Sequence, residues 1–165
     1  MSEGEQLAAL ARLHQLLERH GIEYWLFGGW AVDFYAASVT RAHDDLDIAV
    51  WLEDYDRIAA LLAKDGWKHA PEAGEDGYTG CERGAVRLEL AFLARSEDGQ
   101  VYTPLREGQA AWPDEAFESD VAELLGVRAR VMSLPALKID KGETRDDSIV
   151  AAKDRADLAT LARVP

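Results

Sequence analysis

Cysteine is almost missing from this chain. Cys81 is one residue among 165, so no internal disulfide and no cysteine-based zinc site can form, and a reducing compartment is implied. By itself it reads as a small buried apolar side chain. Positive charge is also short. The 18 Lys and Arg against 31 Asp and Glu leave a formal charge of −13, a surface that repels phosphate backbones, and no nucleic-acid partner is expected. No uncharged apolar run nears the roughly 18 residues that a membrane span needs, and Met1-Ser2-Glu3-Gly4-Glu5 carries neither a basic nor an apolar leader segment. A soluble cytoplasmic protein with no membrane contact is the expectation. The patterns G-x-x-x-x-G-K-[ST] and G-x-G-x-x-G do not occur, which excludes a P-loop and a dinucleotide site of the Rossmann kind. What is present is apolar bulk: 48% of residues are hydrophobic, enough for one sizeable core. Without repeats, low-complexity tracts or a linker, residues 1–165 read as one domain.

The spacing of Leu7, Leu10, Leu13, Leu16 and Leu17 predicts an amphipathic helix that stops at Gly21. A β-prone run, Ile22 to Phe27, ends in Gly28-Gly29, and Trp30 to Ala37 reads as helix, giving a strand, a glycine turn and a helix. In Leu46, Ile48, Val50 and Leu52 the apolar residues alternate, a strand with one buried face, so Asp45 and Asp47 share the other. A helix from Glu53 or Asp54 to Lys64 follows, then strands at 67–69, 78–81 and 85–93, with a loop at 71–77. Between 94 and 126 only a strand near Val101-Tyr102 and a short helix after Pro113 are predicted. A last strand lies at 127–132, Ser133 caps a helix with Pro135 in its first turn, and a final helix covers about 148–162. The expected architecture is α/β (α+β), a mixed sheet of about five strands flanked by helices.

Three features carry chemistry. Gly28-Gly29 sits where bare amides and a helix start can hold phosphate oxygens. Asp45 and Asp47 on one strand face repel each other unless a cation lies between them, and Mg2+ is the natural choice. Glu89 interrupts an apolar strand, opposite in facing to Leu88 and Leu90. If its strand neighbours that of the aspartates, three carboxylates converge and can hold two divalent ions about 4 Å apart.

The run Leu26-Phe27-Gly28-Gly29-Trp30-Ala31-Val32-Asp33, then Thr40-Arg41-Ala42-His43-Asp44-Asp45-Leu46-Asp47-Ile48, then the acid of Arg87-Leu88-Glu89-Leu90, resembles the nucleotidyltransferase superfamily of DNA polymerase β-like fold. Within it the likeness is to small antibiotic enzymes of the aminoglycoside 2″-adenylyltransferase and lincosamide type. A weaker echo is Lys153-Asp154-Arg155-Ala156-Asp157-Leu158. The resemblance implies that Asp45 and Asp47 bind Mg2+ and the nucleotide, that Gly28 and Gly29 hold phosphates, and that Glu89 completes the catalytic and metal site. Related enzymes often have Asp at that third position, so Glu89 is a departure.

Nucleotidyl transfer needs phosphate charge neutralised and a hydroxyl activated, which two ions held by three acids supply. Arg41, Lys138, Lys141 and Lys153 are candidates for the β- and γ-phosphates, and Lys153 reads equally as an i,i+4 partner of Asp157. Asp44 reads as a turn or capping residue, His43 as a base or a structural hydrogen-bonding residue, and Asp33 as a support. Trp30 and Trp112 read as core or pocket wall. The leading reading is an enzyme moving NMP, with AMP favoured, from an NTP, with ATP favoured, to a hydroxyl of a small acceptor that the acidic surface would suit if cationic. A homodimer stays open. So do a nucleotide-binding or toxin–antitoxin-type partner of the same fold with weak or no catalysis, and an RNA-directed enzyme that no basic stripe supports.

Overall fold

The computed structural model describes residues 2–165. Helix α1 (Glu3–Arg19) opens on a reciprocal pair in which Ser2 caps the Glu5 amide and the Glu5 carboxylate answers the Ser2 amide. It buries Leu7, Leu10, Leu13 and Leu17, the face its leucine spacing predicts. Strand β1 (Tyr24–Phe27) runs directly into α2 (Gly28–Ala36), so the glycine pair is the helix's first turn rather than a loop before it. Then come β2 (Leu46–Trp51), a 3-10 turn (Leu52–Asp54), α3 (Tyr55–Lys64), β3 (Lys68–His69), β4 (Tyr78–Arg83) and β5 (Val86–Arg95). The remainder is β6 (Val101–Pro104), β7 (Gln109–Ala111), β8 (Val121–Leu124), β9 (Val127–Arg130), α4 (Leu134–Lys141) and α5 (Ser148–Leu161).

The main sheet has seven strands, not about five, in the order β1-β2-β5-β4-β3 with β6 on β5 and β7 on β6. The class stands: this is a mixed α/β fold, with β2 and β5 parallel and their neighbours antiparallel. Strand β7 is three exposed residues and carries no alternation to read, and β8 pairs with β9 in a separate hairpin. The short helix expected directly after Pro113 does not form. Residues 114–117 form turns, and Glu115 takes φ +58°, a left-handed conformation that interrupts any helix. Among the described residues no helix is long and apolar enough to cross a membrane.

Alternation sorts the sheet into two faces. Leu26, Leu46, Ile48, Val50, Leu88 and Leu90 are buried on one side in the main core with α1, α2 and α3. The other side carries Trp25, Phe27, Asp47, Glu89 and Leu93, partly covered by Trp112 and Phe117. Polar residues on that second face therefore border open space. Helix α5 differs from the other helices: of its described side chains only Asp154, Asp157 and Leu161 are buried, so ion pairs hold it more than apolar packing does.

Candidate active site

Parallel pairing of β2 with β5 sets Asp47 directly across from Glu89. Asp45 stands one residue ahead of β2, and oxygens of the three carboxylates lie within 4.8 Å of one another. Burial comes first in raising the pKa of each. Asp44 adds to it for Asp45, Asp45 and Glu89 for Asp47, and Asp45 for Glu89. Among the described residues the only ion pair of the triad joins Glu89 to Arg87, at 3.4 Å. Clustered carboxylate oxygens held at this spacing with so little compensation are a fitting donor set for a hard divalent cation.

These shifts fix the sign of a pH effect. Each of the three acids has a folded pKa above its unfolded value, so the folded protein holds more protons in that interval and stability falls as pH rises through it. The melting temperature of the metal-free protein should decline from the ordinary carboxylate range upward, and added divalent cation should flatten the decline. Calorimetric scans from about pH 5 to 8, with chelator and with cation, would show it. Asp44 and Asp157 have lowered pKa values, so their contribution fades only below that range.

The glycine turn sits against the triad. Gly28 has φ +69°, and a Cβ there would come within 2.3 Å of Asp47 Oδ2; one at Gly29 would meet Arg41 and His43 at 2.5 Å. Only glycine lets helix α2 start this close to the acids. No side chain caps α2, so its first-turn amides stay available to an anion. Gly28→Ala should cost about 1–2 kcal/mol for the backbone conformation alone, roughly 2–8 °C in melting temperature for a chain of this size, before the clash is counted. A thermal melt with the melting point unmoved would contradict it.

Behind the turn, Asp33 is fully buried. It accepts hydrogen bonds from Thr40 N and Oγ1 at 3.1 and 2.5 Å, and its other oxygen lies 2.5 Å from His43 Nε2. His43 stacks on Trp30 with ring centres 4.6 Å apart. Asp33 thus fixes the segment from Thr40 to His43 that leads into the acids.

Two cavities meet at the triad. One, of about 510 Å³, is lined by Gly28, Gly29, Arg41, Asp44, Asp45, Lys141, Arg145 and Lys153 among others. The second, of about 360 Å³, has Tyr78, Thr103 and Trp112 in its walls. Phe27, Asp47, Glu89 and Asp140 border both. Of the candidate phosphate contacts, Arg41, Lys141 and Lys153 reach the first cavity, whereas Lys138 is exposed on α4 and lines neither. Lys153 does not pair with Asp157; its ammonium lies 2.5 Å from Asp44. Asp157, almost fully buried, accepts both Nε and Nη2 of Arg41 at 2.9 Å and Lys141 Nζ at 2.8 Å. Hydrogen bonding to Asp157 raises the Arg41 pKa, and for Lys141 the pairs with Asp157 and Asp154 outweigh a burial that opposes the charge. Asp140 and Arg145 were not singled out in the sequence, and Asp154 appears there only within the echo Lys153–Leu158. The signal available was Asp154 and Asp157, two acids at i,i+3 on a helix with little apolar stripe.

Solved structures share this arrangement of elements. The lincosamide antibiotic adenylyltransferase LnuA, lincomycin-bound, superposes with TM-score 0.74 at 18% identity over 100% of this chain and 99% of its own. ANT(2″)-Ia in complex with adenylyl-2″-tobramycin gives 0.74 at 19% over 96% and 88%. The fold is that of the nucleotidyltransferases. Residues 9–161 match the family described as aminoglycoside-2″-adenylyltransferase, and the chain belongs to that family. Curated relatives named 2″-aminoglycoside nucleotidyltransferase, from Klebsiella pneumoniae and Escherichia coli, are 29% and 28% identical over 110 residues, 64% of this chain and 51% of theirs. The chain spans about half the length of those relatives in these matches.

Proposed function

We propose that residues 1–165 act as one magnesium-dependent nucleotidyltransferase domain that moves AMP from ATP to a hydroxyl of a small cationic acceptor of the aminoglycoside kind. The observation that carries this is the meeting of Asp45, Asp47 and Glu89 beside an uncapped glycine turn, in a chain of this family. The charge of the first cavity supports it. Six carboxylates line it (Asp44, Asp45, Asp47, Glu89, Asp140 and Asp154) against four cations (Arg41, Lys141, Arg145 and Lys153), so a triphosphate is repelled unless divalent ions accompany it. The second cavity holds five carboxylates (Asp47, Asp76, Glu89, Asp140 and Glu143), no Lys or Arg, and aromatic walls. That suits a hydroxylated polycation, and adenylyl-2″-tobramycin is the compound in the related ANT(2″)-Ia complex.

In this mechanism the amides of Gly28 and Gly29 donate to phosphate oxygens, with Arg41 and Lys141, fixed by Asp157, at the charged tail. Asp45, Asp47 and Glu89 would hold the magnesium, which supplies charge neutralisation at the triphosphate and acidifies the attacking hydroxyl. Glu89, at the border of the two cavities, takes the acceptor's proton as the hydroxyl oxygen bonds to the α-phosphorus and pyrophosphate leaves. The reaction is read by screening ATP-dependent pyrophosphate release across aminoglycosides and lincosamides. Release with aminoglycosides is expected; no release with any member of the panel would contradict the reading. A cytoplasmic site of action follows from it, since ATP is the donor.

Asp157→Asn tests the support of the phosphate contacts. Leaving Arg41 and Lys141 beside a neutral partner should cost roughly 3 kcal/mol or more of stability, the usual scale for breaking a buried pair. The KM for ATP should rise more than the acceptor KM. Equal KM changes would contradict the assignment.

A further inference from the structure

Arg87 stands two residues before Glu89 on β5, so both side chains leave the sheet on the face that carries the acids. It lines neither cavity, and its guanidinium lies along the sheet instead. Nε donates to Glu89 Oε1 at 3.4 Å, Nη1 donates to the Ala70 carbonyl at 3.2 Å and to Glu82 at 3.5 Å, and Nη2 is 3.2 Å from Glu72. The neighbouring strand is cut back to admit it. Gly80 is paired with Glu89 across β4 and β5, and a Cβ at Gly80 would come within 2.2 Å of Arg87 Nη2. Glycine at 80, arginine at 87 and glutamate at 89 therefore form one spatial unit.

Glu89 has a use for such a hold. It has one more rotatable bond than an aspartate, and Asp45 and Asp47 both repel its carboxylate, so an untethered side chain would swing away from them. We propose that Arg87 is a positioning residue: anchored on the Ala70 carbonyl and two further glutamates, it pins the Glu89 carboxylate from outside the cluster and lets a glutamate serve as the third acid. The planar fork matters as much as the charge, because only a guanidinium can reach Glu89 and Ala70 together. This rests on the functional reading above.

The test compares binding of Mn2+ alone, by calorimetry, with turnover. Arg87→Gln should weaken Mn2+ binding about tenfold, the scale for losing a residue that orients a metal ligand. It should lower kcat by a similar factor and leave the KM for ATP within about twofold. In a Glu89→Asp background, where the shorter side chain needs no tether, the same substitution should change Mn2+ affinity less than about twofold. Tighter Mn2+ binding in Arg87→Gln would overturn the proposal, because Arg87 would then only compete with the ion for Glu89. Equal losses in both backgrounds would overturn it too. Arg87→Lys, which keeps the charge without the fork, covers the case in which Arg87→Gln does not fold. It should lose at least about threefold in Mn2+ affinity, and wild-type affinity would contradict the proposal. A wild-type chain that transfers nothing would sink the functional reading, and the Mn2+ comparison would still decide the role of Arg87.

Discussion

Asp47→Asn should abolish magnesium-dependent transfer, by about a thousandfold or more, and leave the melting temperature of the metal-free protein unchanged or higher. Asp47 lies at the centre of the site: it faces Glu89 across the β2–β5 pairing, shares the cluster with Asp45, and touches the space that Gly28 leaves open. Burial and the charges of Asp45 and Glu89 hold its pKa well above the ordinary range, so its ionised form is unfavourable without a cation beside it. Asparagine keeps the shape and removes one of three mutually repelling charges. Stability is spared while the divalent ion loses a ligand, a larger loss than the roughly 10–100-fold that follows from disturbing a residue behind one. Thermal melts and product formation on the same sample check both halves. A large fall in melting point with activity kept would make Asp47 a structural residue.

Glu89→Gln should lower turnover by about two to four orders of magnitude, with ATP binding changed much less. Its strand is apolar on the opposite face, and on this face it meets both cavities, where the proposed function would bring an acceptor hydroxyl and the nucleotide together. Glutamine preserves the contact with Arg87 in shape but can neither take a proton nor bring a charge to a cation. Normal turnover would show that another group is the base, and Asp140, which borders the same two cavities, would be next to test.

The region from Gly28 to Asp47 and the strand of Glu89 were legible because they depend on short-range rules. A glycine pair after a β-prone run marks the strand-to-helix junction, and period-2 alternation fixes which side of β2 and β5 the acids occupy. Their meeting rested on β2 and β5 being neighbours, which the β2–β5 pairing bears out. Partner choice among helix charges was not legible. The local rule offers Lys153 to Asp157 at i,i+4, but Asp157 is taken by Arg41, 116 residues away in sequence, and Lys153 by Asp44 across 109. Lys138 and Lys141 are both basic and near the end of α4; only the docking of α5 decides that Lys141 turns inward to Asp154 and Asp157. Strands β7 and β8 have three and four residues, and Glu115 and Leu125 take positive φ that no sequence rule assigns to them.

Under the proposed function, this acidic site transfers a nucleotide to a small hydroxylated cation only when magnesium is present. Mass spectrometry of an aminoglycoside incubated with the protein and ATP tests it most directly, with pyrophosphate measured in the same reaction. The expected result is an acceptor carrying one adenylyl group, an equal amount of pyrophosphate, and neither product with chelator. Unmodified acceptors throughout the panel, with ATP bound as tightly in chelator as in magnesium, would contradict it.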